Sequence, residues 1–254
     1  MSATRLAGFS EPPVSLTLVR HGESVGNLAD SAARERQAPR LDLDIRDADV
    51  ELSENGQQQA QSLGRWFAEL EARDRATLVI TSPYRRAEDT ARLVVGDTGV
   101  EVVVDERLRE RDLGVLDGLT RWGIEAEYAA ESERWHKLGK FYYQPPSGES
   151  WADVVLRVRS LLQDVRSGYG DSRLWLVTHQ AVIMSFRYVL EGLRERELLD
   201  IDREHTIGNC SLTRYLRNDG HLELDSFADT EIVESSRADV THEPPVAAAK
   251  SGEA

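Results

Sequence analysis

Five side chains in this sequence could handle a phosphoryl group together: Arg20, His21, Arg86, Glu110 and His179. Arg20 and His21 follow directly on the apolar alternating run VSLTL and lead into Gly22. A guanidinium stays cationic at every relevant pH and meets phosphate oxygens in bidentate geometry, so Arg20 and Arg86 suit an anion pocket. Cations beside His21 disfavour its imidazolium, which leaves one ring nitrogen a lone pair at neutral pH and makes the ring a nucleophile. Glu110 suits the acid that protonates a leaving alkoxide. His179 can stabilise charge on phosphoryl oxygens in the transition state. Gly22 lets the backbone come close to an oxyanion, and Ser24 to Asn27 is expected to open a helix whose amides point at it. Any one of these residues has an ordinary structural explanation, so phosphoryl chemistry requires that the fold gather them.

The intervening sequence supplies elements that would do so. Runs rich in β-branched residues recur at 14–19, 76–82, 100–105 and 173–178, and helical periodicity fills the gaps at 52–73, 85–95, 149–165 and 181–193. Strands alternating with helices predict an α/β fold: a three-layer α/β/α arrangement around a mostly parallel central sheet. In such sheets ligands collect beyond the carboxyl ends of the strands. That is where Arg20, His21, Arg86, Glu110 and His179 fall. Residues 209–227 read as a closing hairpin with its turn at 218–220, placing Cys210 inside a buried, inert strand. The domain is expected over 14–227, after a short extension at 1–13. The charged, weakly periodic stretch 27–50 reads as a surface excursion, and the polar tail 228–254 reads as disordered. Ser147 is a possible cap for the helix near Glu149.

Composition excludes several other classes. The chain has 254 residues, enough for a sizeable core, and 40% hydrophobic with 30% charged residues is ordinary for a globular protein. No apolar run is long enough to span a bilayer. A formal net charge of −14 argues against nucleic acid or an anionic membrane as partner, because both demand a basic face. A single cysteine and an N-terminus without an apolar core favour the cytoplasm. His136, His205 and His221 lack carboxylates or cysteines at ligand spacing, so no metal and no other cofactor is expected. The expected partner is a small phosphorylated substrate, and a homo-oligomer stays open.

The segments LVRHGES with Asn27, SPYRRAEDTA, LRERDLGVLDG, PPSGES and LVTHQAV resemble, in that order, the motifs of the histidine phosphatase superfamily, the phosphoglycerate mutase-like fold. The resemblance covers about residues 14 to 227. It implies a phosphohistidine on His21, a phosphate pocket of Arg20, Asn27, Arg86 and His179, and Glu110 as proton donor. Gln180 stands where the acid-phosphatase branch has aspartate, so that branch is set aside. HQAV and KFYYQPPSGES are similar to the fructose-2,6-bisphosphatase domain, in which positions matching Lys140 and Gln180 contact substrate. His136, Trp151 and Met184 depart from that domain's pattern, so its substrate does not carry over. The expected activity is a metal-independent phosphomonoesterase acting on a sugar phosphate or phosphoglycerate-like metabolite. Two alternatives stand beside it: a 2,3-bisphosphoglycerate-dependent phosphoglycerate mutase, and a non-catalytic phosphate- or partner-binding module. The module would need neither a nucleophile nor an acid, yet His21 and Glu110 are both present.

Overall fold

Strand β1 (Ser15–Arg20) is buried at every position from Leu16 to Arg20, on both faces, as a central parallel strand must be. A computed structural model describes residues 11–236 and 239–242. Among these, β1 lies in a six-stranded sheet ordered β3-β2-β4-β1-β5-β6. The other strands are β2 (Leu78–Thr81), β3 (Glu101–Val104), β4 (Arg173–Thr178), β5 (Leu212–Asn218) and β6 (His221–Asp229). β1 to β4 run parallel, and β5 and β6 close one edge as the predicted antiparallel hairpin. Its two-residue turn is Asp219-Gly220, both at positive φ, the geometry that matches strand twist.

Helices cover both faces, which gives the expected three layers. Leu16, Leu18, Leu174 and Leu176 face a core made with α6 (Trp151–Gly168) and α7 (Gln180–Leu190). The alternate positions Val19, Val79, Trp175 and Val177 face a second core made with α2 (Glu54–Glu69) and α3 (Arg85–Val95). There the Trp175 ring lies edge-on to Phe67 at 4.9 Å. The 27–50 excursion begins inside α1 (Val25–Glu35) and ends in a 3-10 turn at Asp47–Asp49. Residues 120–146 hold α4 (Arg121–Glu127) and α5 (Ala129–Tyr142), the latter kinked at Gly139, and α8 (Glu195–Glu204) follows α7.

Three local expectations are corrected. The tail is not disordered from residue 228: β6 runs on to Asp229, α9 (Glu231–Glu234) follows, and Val233 is fully buried in the core with α2. Burying that valine is worth about 1.5–3 kcal/mol, which offsets part of the cost of ordering a short helix. Residues 243–254, like 1–10 of the N-terminal extension, lie outside the described residues. Cys210 is not in a strand; it precedes β5 at φ 54, where its N–H donates to the carbonyls of Arg20 and His21. Burial does keep its thiol inert, pushing it up to about 12. Ser150, not Ser147, caps α6, in a reciprocal box with Asp153.

Candidate active site

Sheet register brings the two histidines together. Arg20 pairs with Thr178 across β1 and β4, so the next residues, His21 and His179, leave the sheet side by side. Their rings are 5.0 Å apart between centroids. His21 N–H donates to the Thr178 carbonyl at 3.0 Å, and the Asn209 side chain donates to the His21 carbonyl at 2.9 Å. Thr241 of the tail donates to Asn209 in turn. The loop is thus held from both sides.

The His21 ring has a defined tautomer. Its Nδ1 lies 2.7 Å from the Gly22 carbonyl oxygen, which can only accept, so Nδ1 carries the proton and Nε2 the lone pair. Burial, with the Arg86 and Arg20 charges added, holds the ring well below the ordinary imidazole range and therefore neutral. Gly22 serves packing rather than approach to an oxyanion: a Cβ there would meet the Gly56 carbonyl oxygen at 2.6 Å. Gly56 answers it from α2, where a Cβ would lie 1.9 Å from the Glu23 carbonyl oxygen.

Arg20 is buried and donates to the Ile207 carbonyl. Arg86, in the first turn of α3, is 5% exposed, whereas neighbouring Arg85 points outward to Glu51 and Asp89. The Arg86 guanidinium lies over Tyr84 at 5.0 Å, and the Tyr84 ring is edge-on to His179 at 5.2 Å. His179 is fully buried at the N-cap of α7. Burial first, then the Arg86 charge, keeps it neutral as well. Asn27 commits its Oδ1 to the Ser24 N–H and hydroxyl in the cap of α1, which fixes Nδ2 as the donor end of the amide. Glu110 sits on the strand-end loop held by two anchors. Thr178 Oγ1 donates to the Leu108 carbonyl at 2.7 Å, and Arg157 donates to the Arg107 and Glu110 carbonyls.

Two expected substrate contacts fare differently. Gln180 follows His179 and keeps its Oε1 buried without a hydrogen-bond partner among the described residues. Lys140 turns to Asp202 of α8 and lies over Trp151 at 4.9 Å, rather than joining the cluster. Among the described residues Arg111 makes no ion pair; its backbone N–H donates to the Glu110 carboxylate and its guanidinium ties the Glu149 and Tyr143 carbonyls together.

A family model for the histidine phosphatase superfamily (branch 1) matches residues 16–230. The chain belongs to the histidine phosphatase superfamily. It is 31% identical to a probable phosphoglycerate mutase GpmB of Erwinia tasmaniensis, over 89% of this chain and 93% of that protein. It is 29% identical to a glucosyl-3-phosphoglycerate phosphatase of Mycolicibacterium vanbaalenii, over 84% and 89% of the two chains. A mycobacterial glucosyl-3-phosphoglycerate phosphatase solved in complex with VO3 superposes with a TM-score of 0.65 at 28% identity, covering 85% of this chain and 99% of that one.

This member of the superfamily carries candidate site residues that spacing does not reveal. Asp47, from the excursion, grips Arg86: Nη1 donates to its Oδ1 at 2.9 Å and to its carbonyl at 2.6 Å, and Nη2 donates to Oδ2 at 3.2 Å. Asp117, whose side chain is solvent-exposed, also lies on this side, close enough to feel the Asp47 charge. Ser82, directly after β2, meets His179 Nε2 at 2.8 Å. A hydroxyl after a strand and a carboxylate in an irregular segment are too common to single out. Only the long-range contacts mark them. Among the described residues no cluster of three or more His, Cys, Asp or Glu side chains could hold a metal, and no helix is long and apolar enough to cross a membrane.

Proposed function

We propose that this histidine phosphatase superfamily member is a metal-independent phosphomonoesterase working through a phosphohistidine on His21. The coarser statement, phosphatase or mutase activity, rests on the family. The observation that carries the finer one is the neutral His21 with its proton fixed on Nδ1, buried beside Arg20 and Arg86 and facing His179. Nε2 attacks phosphorus, the ester P–O bond breaks, and the leaving alkoxide takes the Glu110 proton. The Glu110 carboxylate then removes a proton from water, whose oxygen displaces the P–N bond to release phosphate and restore the Nε2 lone pair. Arg20 and Arg86 neutralise the phosphoryl oxygens throughout, the part Mg²⁺ plays in many phosphoryl-transfer enzymes. Asn27 and Gln180 add polar contacts at the first turns of α1 and α7. The substrate is a small phosphorylated metabolite.

Mutase chemistry is the second reading, favoured by the relatives that bear that name. A mutase must retain a bisphosphorylated, highly anionic intermediate, which calls for a cationic mouth. Here Asp47 sits on Arg86, Arg121 lies over Trp122 at 4.4 Å and Lys140 is committed to Asp202. That charge pattern supports hydrolysis. The test supplies 3-phosphoglycerate with catalytic 2,3-bisphosphoglycerate and measures 2-phosphoglycerate and free phosphate together, beside a phosphate-release screen over phosphorylated metabolites. Release should dominate; isomerisation far outpacing release would replace this reading with the mutase.

A further inference from the structure

Ser82 is fully buried between the end of β2 and the start of α3, and its backbone is pinned by an N–H bond to the Val177 carbonyl at 3.0 Å. Its hydroxyl has two polar neighbours, the Tyr84 N–H at 3.2 Å and His179 Nε2 at 2.8 Å. The Tyr84 N–H can only donate, so Ser82 Oγ accepts from it. Among the described residues the one hydroxyl hydrogen then has a single acceptor, the lone pair of His179 Nε2. The opposite arrangement, with Nε2–H donating to Oγ, would leave the buried hydroxyl hydrogen with nothing to meet and is the costlier state. With Nε2 accepting, the proton of the neutral ring must sit on Nδ1. That nitrogen is buried and has no hydrogen-bond partner among the described residues.

We propose that Ser82 is a positioning residue that holds the proton of His179 on Nδ1, so that this ring meets the transferring phosphoryl group as a hydrogen-bond donor. The second clause rests on the phosphatase reading above; the first does not. A bare Nδ1 lone pair would repel the phosphoryl oxygens, whereas an N–H aimed at them stabilises the charge they gather in the transition state. Because the ring is neutral, its tautomer decides between attraction and repulsion.

The experiment is nitrogen-15 NMR of histidine-labelled full-length protein without substrate, with His179 assigned by its absence in His179→Gln, followed by kinetics of Ser82→Ala and Ser82→Thr. The wild type should show a proton-bearing Nδ1 and a bare Nε2 for His179. Ser82→Ala should populate the opposite tautomer and lower kcat on p-nitrophenyl phosphate about 10- to 100-fold, somewhat less than deleting an oxyanion donor outright, with KM changed less. Ser82→Thr, which keeps the hydroxyl, should restore both the spectrum and most of kcat. A wild-type ring with its proton on Nε2 overturns the proposal even if Ser82→Ala fails to fold, and so does an alanine variant with unaltered tautomer and kcat. A wild type with the expected tautomer but no turnover of any phosphomonoester would overturn the phosphatase reading alone.

Discussion

The strand-end wall of the pocket and its outer rim are held by different forces. Arg20, His21, Ser82, Arg86 and His179 are each 5% exposed or less and are fixed by sheet register, backbone carbonyls and two helix starts. Across from them, Asp47, which pairs with Arg86, has a side chain 40% exposed. This rim position sits on a 3-10 turn. The wall is preorganised and dry, so its electrostatics are strong. The rim is wet, so its contacts adjust. In the proposed phosphatase, the chemistry shared by many phosphate esters would belong to the wall and the choice of leaving group to the rim.

Substitution at the wall should do the most damage. His21→Ala is expected to lower turnover by about 10⁴-fold or more, the scale for losing a nucleophile, with little change in thermal unfolding. Tyr142→Ala, at an exposed position on α5, should alter p-nitrophenyl phosphate turnover by less than about threefold, since an exposed side chain contributes little to the chemical step. Comparable losses from the two would erase the distinction. Glu110 joins the two regions. Glu110→Gln should cost about 100-fold on a sugar phosphate and only a few-fold on p-nitrophenyl phosphate, whose leaving group barely needs a proton. Equal losses on both substrates would remove Glu110 from the acid role.

Arg20, His21, Arg86 and His179 were readable in the sequence because each lies within a few positions of a strand end; Ser82, equally close to one, was not. An apolar run predicts the strand, and α/β topology predicts that its end faces ligand. Strand-end position does not separate Arg86 from Arg85; the family motif does, because Arg86 directly precedes its alanine, and the structure turns Arg86 inward at the first turn of α3 and Arg85 outward to Glu51. The rim was not readable. Asp47 reaches Arg86 across 39 residues from an irregular segment, and Lys140 is claimed by Asp202 across 62. No periodicity encodes either contact. The tail misled for a related reason: one buried valine and the reach of Thr241 to Asn209 order a stretch that is polar overall.

Two smaller effects sharpen the same contrast. Both wall histidines are held below the ordinary value of 6.5, by burial first. Below that pH the unfolded chain takes up protons that the native chain does not. Stability is therefore complete above about pH 6.5 and declines as the pH falls toward the native values. Thermal unfolding should show this acid loss, and the His21→Gln/His179→Gln protein should lose less over the same range. An unchanged slope would mean the imidazoles are not held neutral by the fold. On the rim, Asp47→Asn keeps an oxygen for Arg86 but removes the charge opposing a dianionic substrate. It should lower KM about 3- to 10-fold with kcat nearly constant, as expected for one partly screened charge. A rise in KM would show instead that Asp47 orients Arg86.

The central claim is that the phosphoryl group rests on His21. It is tested most directly by mixing enzyme with phosphorus-32-labelled substrate, quenching in alkali within the first turnover, and mapping the label by proteolysis and mass spectrometry. The label should be acid-labile and alkali-stable, should reside on His21 Nε2, and should be absent from His21→Ala. A wild-type enzyme that turns over with no trapped label, or with label on any other residue, would contradict the account.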